Sequence, residues 1–385
     1  MTTVVVGAGL GGLRAGQRIR ELSGDEVVIV GDEAYRPYNR PPVSKELLAG
    51  TMSAEECIFP DADDGFRWEL GNPAVGLDLE HNEVALRHDS IAFDRLVIAT
   101  GRRARLPSNI PDLQGIHVLR GIDDARRFGK AVSSTSNVVI MGGGFIGCEV
   151  AAVLRAAGVG SVTIVEMSET VMPVLGPTIG AFAQRVHGRH GVDVRCRTGV
   201  VAIHGATCVE EIELSTGERL AADVVLVAIG SQPSTEWLTG SGVDLDGGNV
   251  VCDEFCFAAN RPDVVAVGDV AQWTHVGVGG VIRVEHWSNA ADMGLHAAEN
   301  LVNPSSAKPY APIPTFWSDQ YDLHIKAAGF LGRVVEFQPV ETAPGKYSWD
   351  GLDSSGDLIA GVTVNDNKSF IGYRRRVAAG LTVEA

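Results

Sequence analysis

Chemistry in this chain starts with glycines at fixed spacing. Val4 to Gly12 reads VVVGAGLGG, an apolar run that ends in Gly7-x-Gly9-x-x-Gly12. A strand, a glycine turn and a helix in that order let backbone N–H groups reach a pyrophosphate at the helix N-terminus. The first glycine makes the turn, the second admits the phosphate, and the third lets helix and strand pack closely. Val138 to Gly147, VVIMGGGFIG, repeats the pattern. Two copies in one chain point to two dinucleotides. Acids follow each turn at matching distance. Asp32 lies twenty positions after Gly12, with Glu33 beside it as the alternative, and Glu166 lies nineteen positions after Gly147. A carboxylate at that distance accepts hydrogen bonds from ribose hydroxyls, or is an exposed turn acid.

Cations come next. Arg36-Pro-Tyr-Asn-Arg40-Pro-Pro-Val-Ser-Lys45 carries three prolines, so φ is fixed at three points and the loop is stiff. Such a loop suits cations held against a phosphate or an electron-rich ring; the alternative is a solvated basic turn. Arg102, Arg103 and Arg105 form a second positive cluster in a chain of formal charge −16. That charge argues against a general nucleic-acid or anionic-membrane surface. The six cysteines form no C-x-x-C pair and have no zinc-ligand spacing with histidine, so they read as free thiols.

These residues need elements to hold them. At 385 residues and 45% hydrophobic content, the chain can bury two or three domain cores. The pattern predicts a helix over 13–22, a strand over 27–30 and a helix start at 44–48 capped by Ser44. It predicts strands and hairpins over 68–88 and a buried strand over 93–101. Residues 106–120 read as a crossover, and 123–132 as a helix. Strand 138–141, helix 145–157 and strand 161–165 restart the series, and Val224 to Gly230 parallels LVIATG. The order of elements in 4–101 recurs in 138–230, an internal duplication. Asp263 to Asp269 is a strand ending in an acid where ligands sit in open α/β sheets, and 288–301 has helical periodicity. Past Pro312, antiparallel strands at 324–330, 334–340 and 358–364 precede a helix over 367–379 carrying Arg374, Arg375 and Arg376. No run approaches the roughly 18 apolar residues of a membrane helix. A strand at the very start leaves no room for a signal peptide, so the expected location is the cytoplasm.

Taken together, both fingerprints, RPYNRPPVSK, LVIATG, VVAVGD and PTFWSDQYD resemble the FAD-containing, NADH-dependent ferredoxin reductases. These serve bacterial multicomponent oxygenases and cytochromes P450, and are similar to putidaredoxin and biphenyl-dioxygenase reductases. The resemblance covers essentially the whole chain. It implies an α/β, glutathione-reductase-like fold, with two Rossmann-type dinucleotide-binding domains plus a C-terminal α+β domain. The expected ranges are 1–107 with 237–312 for FAD, 108–236 for NADH, and 313–385 for the third.

The resemblance also implies roles. Gly7, Gly9, Gly11 and Gly12 line the FAD pyrophosphate, and Asp32 takes the adenosine ribose. Arg40 and Lys45 reach the FAD, Lys45 beside the flavin ring. Ala74 lies near the adenine, and Thr100 and Gly101 lie at the flavin chain. Arg120 contacts FAD, and Asp269 holds the ribityl and phosphate region. Trp287 and Trp317 lie near the isoalloxazine, ordinary core packing being the alternative. Gly142, Gly144, Ile146 and Gly147 approach the nicotinamide nucleotide, with Gly230 at the parallel turn. Glu166 binds that nucleotide's ribose. Nothing basic lies in Met167 to Met172, which favours NADH over NADPH. Glu149 matches a glutamate near the nicotinamide and is expected to pair with Lys45, or to be an exposed helix acid.

The implied reaction passes a hydride from NADH to flavin N5, then electrons to a [2Fe-2S] ferredoxin. Arg102, Arg103, Arg105 and Arg374 to Arg376 are the candidate docking cations. Disulfide and peroxide reductases share the architecture but need a cysteine soon after the first acid, where this chain reads Pro41-Pro-Val-Ser-Lys45. A rubredoxin reductase, a flavin monooxygenase, an NADH oxidase, or a redox-signalling protein resembling apoptosis-inducing factor remain as alternatives. So does the choice between monomer and homodimer.

Overall fold

The computed structural model describes residues 1–62 and 65–381. Two five-stranded parallel sheets dominate it. The first has the spatial order Val264–Ala266, Arg95–Ile98, Thr2–Val6, Glu26–Gly31, Arg67–Leu70. The second runs Asp193–Arg195, Ser161–Val165, Asn137–Met141, Val224–Val227, Ile116–Val118. Parallel strands covered on both faces need unbroken apolar runs rather than alternation. Val4, Val5, Val28, Ile29, Leu96 and Val97 meet that need, all fully buried.

The helix Leu10–Ser23 packs against Trp287–Val302 so closely that a Cβ on Gly294 would lie 2.5 Å from the Gly11 carbonyl oxygen. Chain segments leaving the two sheets pair with each other, Arg102–Ala104 antiparallel to Ser231–Pro233. A third sheet is antiparallel, in the order Thr315–Gln320, Leu323–Gly329, Leu358–Val364, Tyr347–Leu352, Glu336–Val340. The helix Asn367–Gly380 packs on it, with Tyr373 buried. One continuous core joins Val43 of the proline loop, Ile140 and Ile164 of the second sheet, and Ile325 and Val362 of the third. The loop that carries Lys45 is thereby fixed between the other two units.

Three local expectations change. Residues 44–48 form no α-helix: Pro41–Ser44 is a single 3₁₀ turn, and Ser44 turns its hydroxyl to Glu149 instead of capping. Lys45, at φ −128° and ψ −102°, leaves the helical region directly after the turn, so no helical ladder starts there. Arg67–Leu70 is not part of a hairpin but the edge strand of the first parallel sheet; the hairpins begin at Ala74–Asp78. The crossover over 106–120 contains a strand, Ile116–Val118, which closes the second sheet beside Val224–Val227. Residues 382–385 of the expected third range lie outside the described residues. Among the described residues, no helix is long and apolar enough to cross a membrane.

Candidate functional site

Both glycine turns have the same geometry. Gly7 has φ +127°, and a Cβ there would lie 2.1 Å from the Ala99 carbonyl oxygen. Gly142 has φ +104°, and its Cβ would meet the Ala228 oxygen at 2.4 Å. Side-chain-bearing residues do not fit such backbone. Gly12 packs on the Gly7 carbonyl, and Gly147 on that of Gly142, each with 2.1 Å left for a Cβ. These glycines hold helix to strand. Gly9 and Gly144 differ: nothing lies within 4 Å of the Cβ each lacks. Each is the N-cap of its helix, Leu10–Ser23 or Phe145–Ala156, and neither helix has a side-chain cap. Their first N–H groups therefore remain available to an anion.

Both helix starts open on one cavity of about 1270 Å³. Of the expected site residues, Gly7, Gly9, Gly11, Asp32, Glu33, Arg40, Lys45, Ala74, Thr100, Gly101, Arg120, Asp269, Trp287 and Trp317 line it. On the second nucleotide's side, Gly144, Ile146, Glu149 and Gly230 do so too. Gly12, Gly142, Gly147 and Glu166 do not. The three glycines are packing positions behind the turns. Glu166 accepts the N–H of Gly143 at 2.7 Å and that of Ser168 at 2.7 Å, at the end of the strand Ser161–Val165.

Most charges along the wall are paired. Glu33 is engaged, accepting from Arg40 Nη2 at 2.5 Å and from the Tyr38 hydroxyl at 2.6 Å. Its neighbour Asp32 is exposed at the mouth of the strand, one oxygen accepting the Glu33 N–H at 3.0 Å. Arg120 binds Asp269 at 2.9 Å and the Arg102 carbonyl at 2.9 Å. The structure brings Lys45 and Glu149 together, Nζ to Oε1 at 3.1 Å, and Glu149 is buried rather than exposed on its helix. The rings of Trp287 and Trp317 meet edge to face at 6.0 Å, and neither belongs to a hydrophobic core. Thr100 has a buried hydroxyl oxygen with no hydrogen-bond partner. A buried, unpartnered hydroxyl on the cavity wall, beside two uncapped helix starts, fits a bound polar cofactor.

The docking expectation for Arg102 is corrected. Its guanidinium is buried, donating to Asn249 at 2.6 Å and Ser231 at 2.7 Å, and facing Glu285 at 3.1 Å. Burial lowers its pKa from the ordinary arginine value. It joins the two exit segments and presents no charge to a partner. Arg103 is exposed but held by Glu236, and Arg376 by Asp350 at 3.1 Å. Arg105, Arg374 and Arg375 are exposed.

Some residues went unnoticed in the sequence. Ser44 donates to Glu149 Oε2 at 2.6 Å, and Ser318 to Oε1 at 2.8 Å. His286 lines the cavity against Trp317, ring centroids 4.6 Å apart, and burial pushes its imidazole down to about 4. The available signal was alternation. In Thr315–Gln320 the positions sharing one strand face are Phe316, Ser318 and Gln320, and two polar residues on a buried face require partners.

Two parallel sheets, each with an uncapped glycine turn on a shared cavity, define a two-nucleotide oxidoreductase architecture. The chain belongs to the pyridine nucleotide-disulphide oxidoreductase family, whose model matches residues 1–294. It is 34% identical over 339 residues to rhodocoxin reductase of Rhodococcus erythropolis, covering 86% of this chain and 78% of that protein. It is 32% identical over 388 residues to the ferredoxin–NAD(+) reductase component of the anthranilate 1,2-dioxygenase system of Burkholderia cepacia, covering 98% and 94%. A solved structure of the covalent putidaredoxin reductase–putidaredoxin complex matches with a TM-score of 0.91 at 27% identity, covering 100% of this chain and 96% of that one. The fold is glutathione-reductase-like, as the motifs led one to expect.

Proposed function

We propose that this chain is an NADH-dependent ferredoxin reductase that holds FAD and supplies electrons to a [2Fe-2S] ferredoxin serving an oxygenase. One observation carries the reading: a single cavity takes in both uncapped helix starts and is lined by the Lys45–Glu149 pair. Relatives named as ferredoxin–NAD(+) reductase components of dioxygenase systems, matched over nearly their whole length, support it. FAD held there would supply the chemistry of taking two electrons from NADH and releasing them one at a time.

The residues divide the work. The helix start behind Gly9 and Gly11 binds the flavin pyrophosphate, and Asp32, with Glu33 already engaged, takes the ribose. Thr100 would supply its unpartnered hydroxyl, and Asp269, held by Arg120, would face the ribityl and phosphate region of the cofactor. Glu149 holds the Lys45 ammonium at the cavity wall, where it would offset negative charge on a reduced flavin. Trp287 and Trp317 wall the ring region. Gly144 and Ile146 receive the second nucleotide's pyrophosphate. Glu166 receives its ribose diol and repels a 2′-phosphate, so NADH is preferred. We assign 1–107 with 237–312 to FAD, 108–236 to NADH and 313–385 to the third domain. Docking falls to Arg105, Arg374 and Arg375, with Arg103 and Arg376 already ion-paired.

Anaerobic mixing of the purified flavoprotein with NADH tests this. NADH is expected to bleach the flavin bands in milliseconds to seconds. Cytochrome c reduction is expected to depend on an added [2Fe-2S] ferredoxin and not on a rubredoxin. A protein without flavin, or one whose flavin NADH leaves oxidised, refutes the reading.

A further inference from the structure

Glu149 does not hold Lys45 by itself. Its Oε1 also accepts from Ser318 Oγ at 2.8 Å, and Ser318 comes from the C-terminal sheet, 169 positions along the chain. Ser318 is fully buried and does not line the cavity. Behind it, Gln320 Nε2 lies 3.1 Å from Ser318 Oγ, and Gln320 Oε1 lies 3.0 Å from His187 Nε2. His187 Nδ1 lies 3.1 Å from the Tyr321 hydroxyl.

The chemistry of the groups sets the direction of every bond. An amide oxygen only accepts, so His187 carries its proton on Nε2. Its Nδ1 then accepts, and Tyr321 donates. Gln320 spends one amide hydrogen on Ser318, with the other toward the Met172 sulfur at 3.3 Å. The Ser318 hydroxyl, already an acceptor from Gln320, turns its own hydrogen to Glu149. Donors therefore point one way, from Tyr321 through His187, Gln320 and Ser318 to the carboxylate. This requires a neutral His187, and burial holds its pKa down at about 4. An amide does not pass protons along as a hydroxyl or imidazole does, so the chain orients and does not conduct.

We propose that Ser318 is a positioning residue for the Lys45–Glu149 pair. It is the last donor of a one-way hydrogen-bond chain by which the C-terminal sheet completes the nicotinamide side of the site. The inference rests on the function proposed above and adds to it the task of this strand. Without Ser318, Oε1 keeps Lys45 as its sole remaining partner, and Ser44 alone fixes the carboxylate plane. Misplacing a catalytic group by about an ångström is enough to slow a hydride transfer strongly.

The test uses the holoprotein and the variants S318A, S318T and Q320M, with rapid-mixing reduction by NADH and the absorption spectrum of the oxidised flavin. S318A is expected to lower the limiting reduction rate by about tenfold. Its apparent dissociation constant for NADH should stay within about twofold of the parent's, since no nucleotide contact is removed. Its oxidised flavin band should shift in the same direction as that of K45M. S318T, which keeps the hydroxyl, should recover most of the rate. Q320M should fall between, and S318A/Q320M should be no slower than S318A, because both act through one donor. A flavin-loaded S318A reduced at the parent rate overturns the inference, as do effects of S318A and Q320M that multiply. Should S318A fail to fold, Q320M decides: parent rate and parent spectrum overturn, a slowed rate with unchanged NADH affinity supports. A parent protein that NADH does not reduce overturns the proposed function itself, a separate result.

Discussion

Replacing either of two glycines three positions apart by alanine should produce opposite failures. At Gly12 the new Cβ would stand 2.1 Å from the Gly7 carbonyl oxygen and 3.1 Å from Val5 Cγ1. The first distance is more than an ångström short of ordinary contact, and the obstacle is backbone. The helix Leu10–Ser23 must back away from the strand Thr2–Val6. Overpacking of that kind costs about 1–3 kcal/mol, and the better helix propensity of alanine returns up to about 1 kcal/mol. A net loss of about 1–2 kcal/mol should lower the melting temperature of the cofactor-free protein by a few degrees. At Gly9 the backbone, φ −96° and ψ −174°, suits alanine, and no atom lies within 4 Å of the new carbon. Stability without flavin should therefore stay within about 0.5 kcal/mol of the parent. The methyl group instead enters the space in front of the free N–H groups, and flavin affinity should fall by about tenfold or more. Thermal unfolding of the flavin-stripped variants and fluorescence titration with FAD measure the two effects. Gly147→Ala and Gly144→Ala should repeat the contrast, with NADH affinity as the second readout. A Gly9→Ala protein that binds FAD like its parent would show that no phosphate enters the cavity at that turn, and a Gly12→Ala protein as stable as its parent would show that this glycine does not set the helix–strand contact.

Glu166→Ala should raise the ratio of kcat/KM for NADPH to that for NADH by about tenfold, since the carboxylate that repels a 2′-phosphate is gone. Arg102→Met should cost about 1–3 kcal/mol, chiefly by leaving the buried Asn249 Oδ1 without its donor, seen as a lower urea midpoint with unchanged ferredoxin KM. Arg105→Glu and Arg375→Glu should do the reverse, raising the ferredoxin KM in a salt-dependent way at parent stability. Stability should fall as pH drops below about 6.5 toward 4. The unfolded chain's imidazole binds a proton there that buried His187 refuses, so its contribution is complete above the unfolded pKa and lost through about 4. The slope from this one group is at most about 1.4 kcal/mol per pH unit, and urea midpoints for the parent and His187→Gln between pH 7 and 4.5 isolate it.

The local parts of this protein were written in adjacent residues. A glycine turn is a backbone event, and the strand before it and the helix after it are set by apolar runs and periodicity within about twenty residues. Gly7 and Gly142, the continuous valine strands and the duplicated order of elements were therefore legible without coordinates. So was the missing cysteine after Pro41, which set aside disulfide chemistry. Strand partnership was less legible, because nothing in Arg67–Leu70 distinguishes an edge of a parallel sheet from the arm of a hairpin.

Tertiary structure alone decided which charges are spent inside the molecule. Arg102 and Arg105 look alike three residues apart, yet one closes a buried joint with residues 147 and 183 positions away and the other stands in solvent. Ser44 reads as a helix cap until Glu149 is brought within 2.6 Å of its hydroxyl. Ser318 has no meaning until the third sheet is laid against the second. A hydrogen bond acts over about 3 Å, and a sequence records order along the chain but not which distant segments come within that reach.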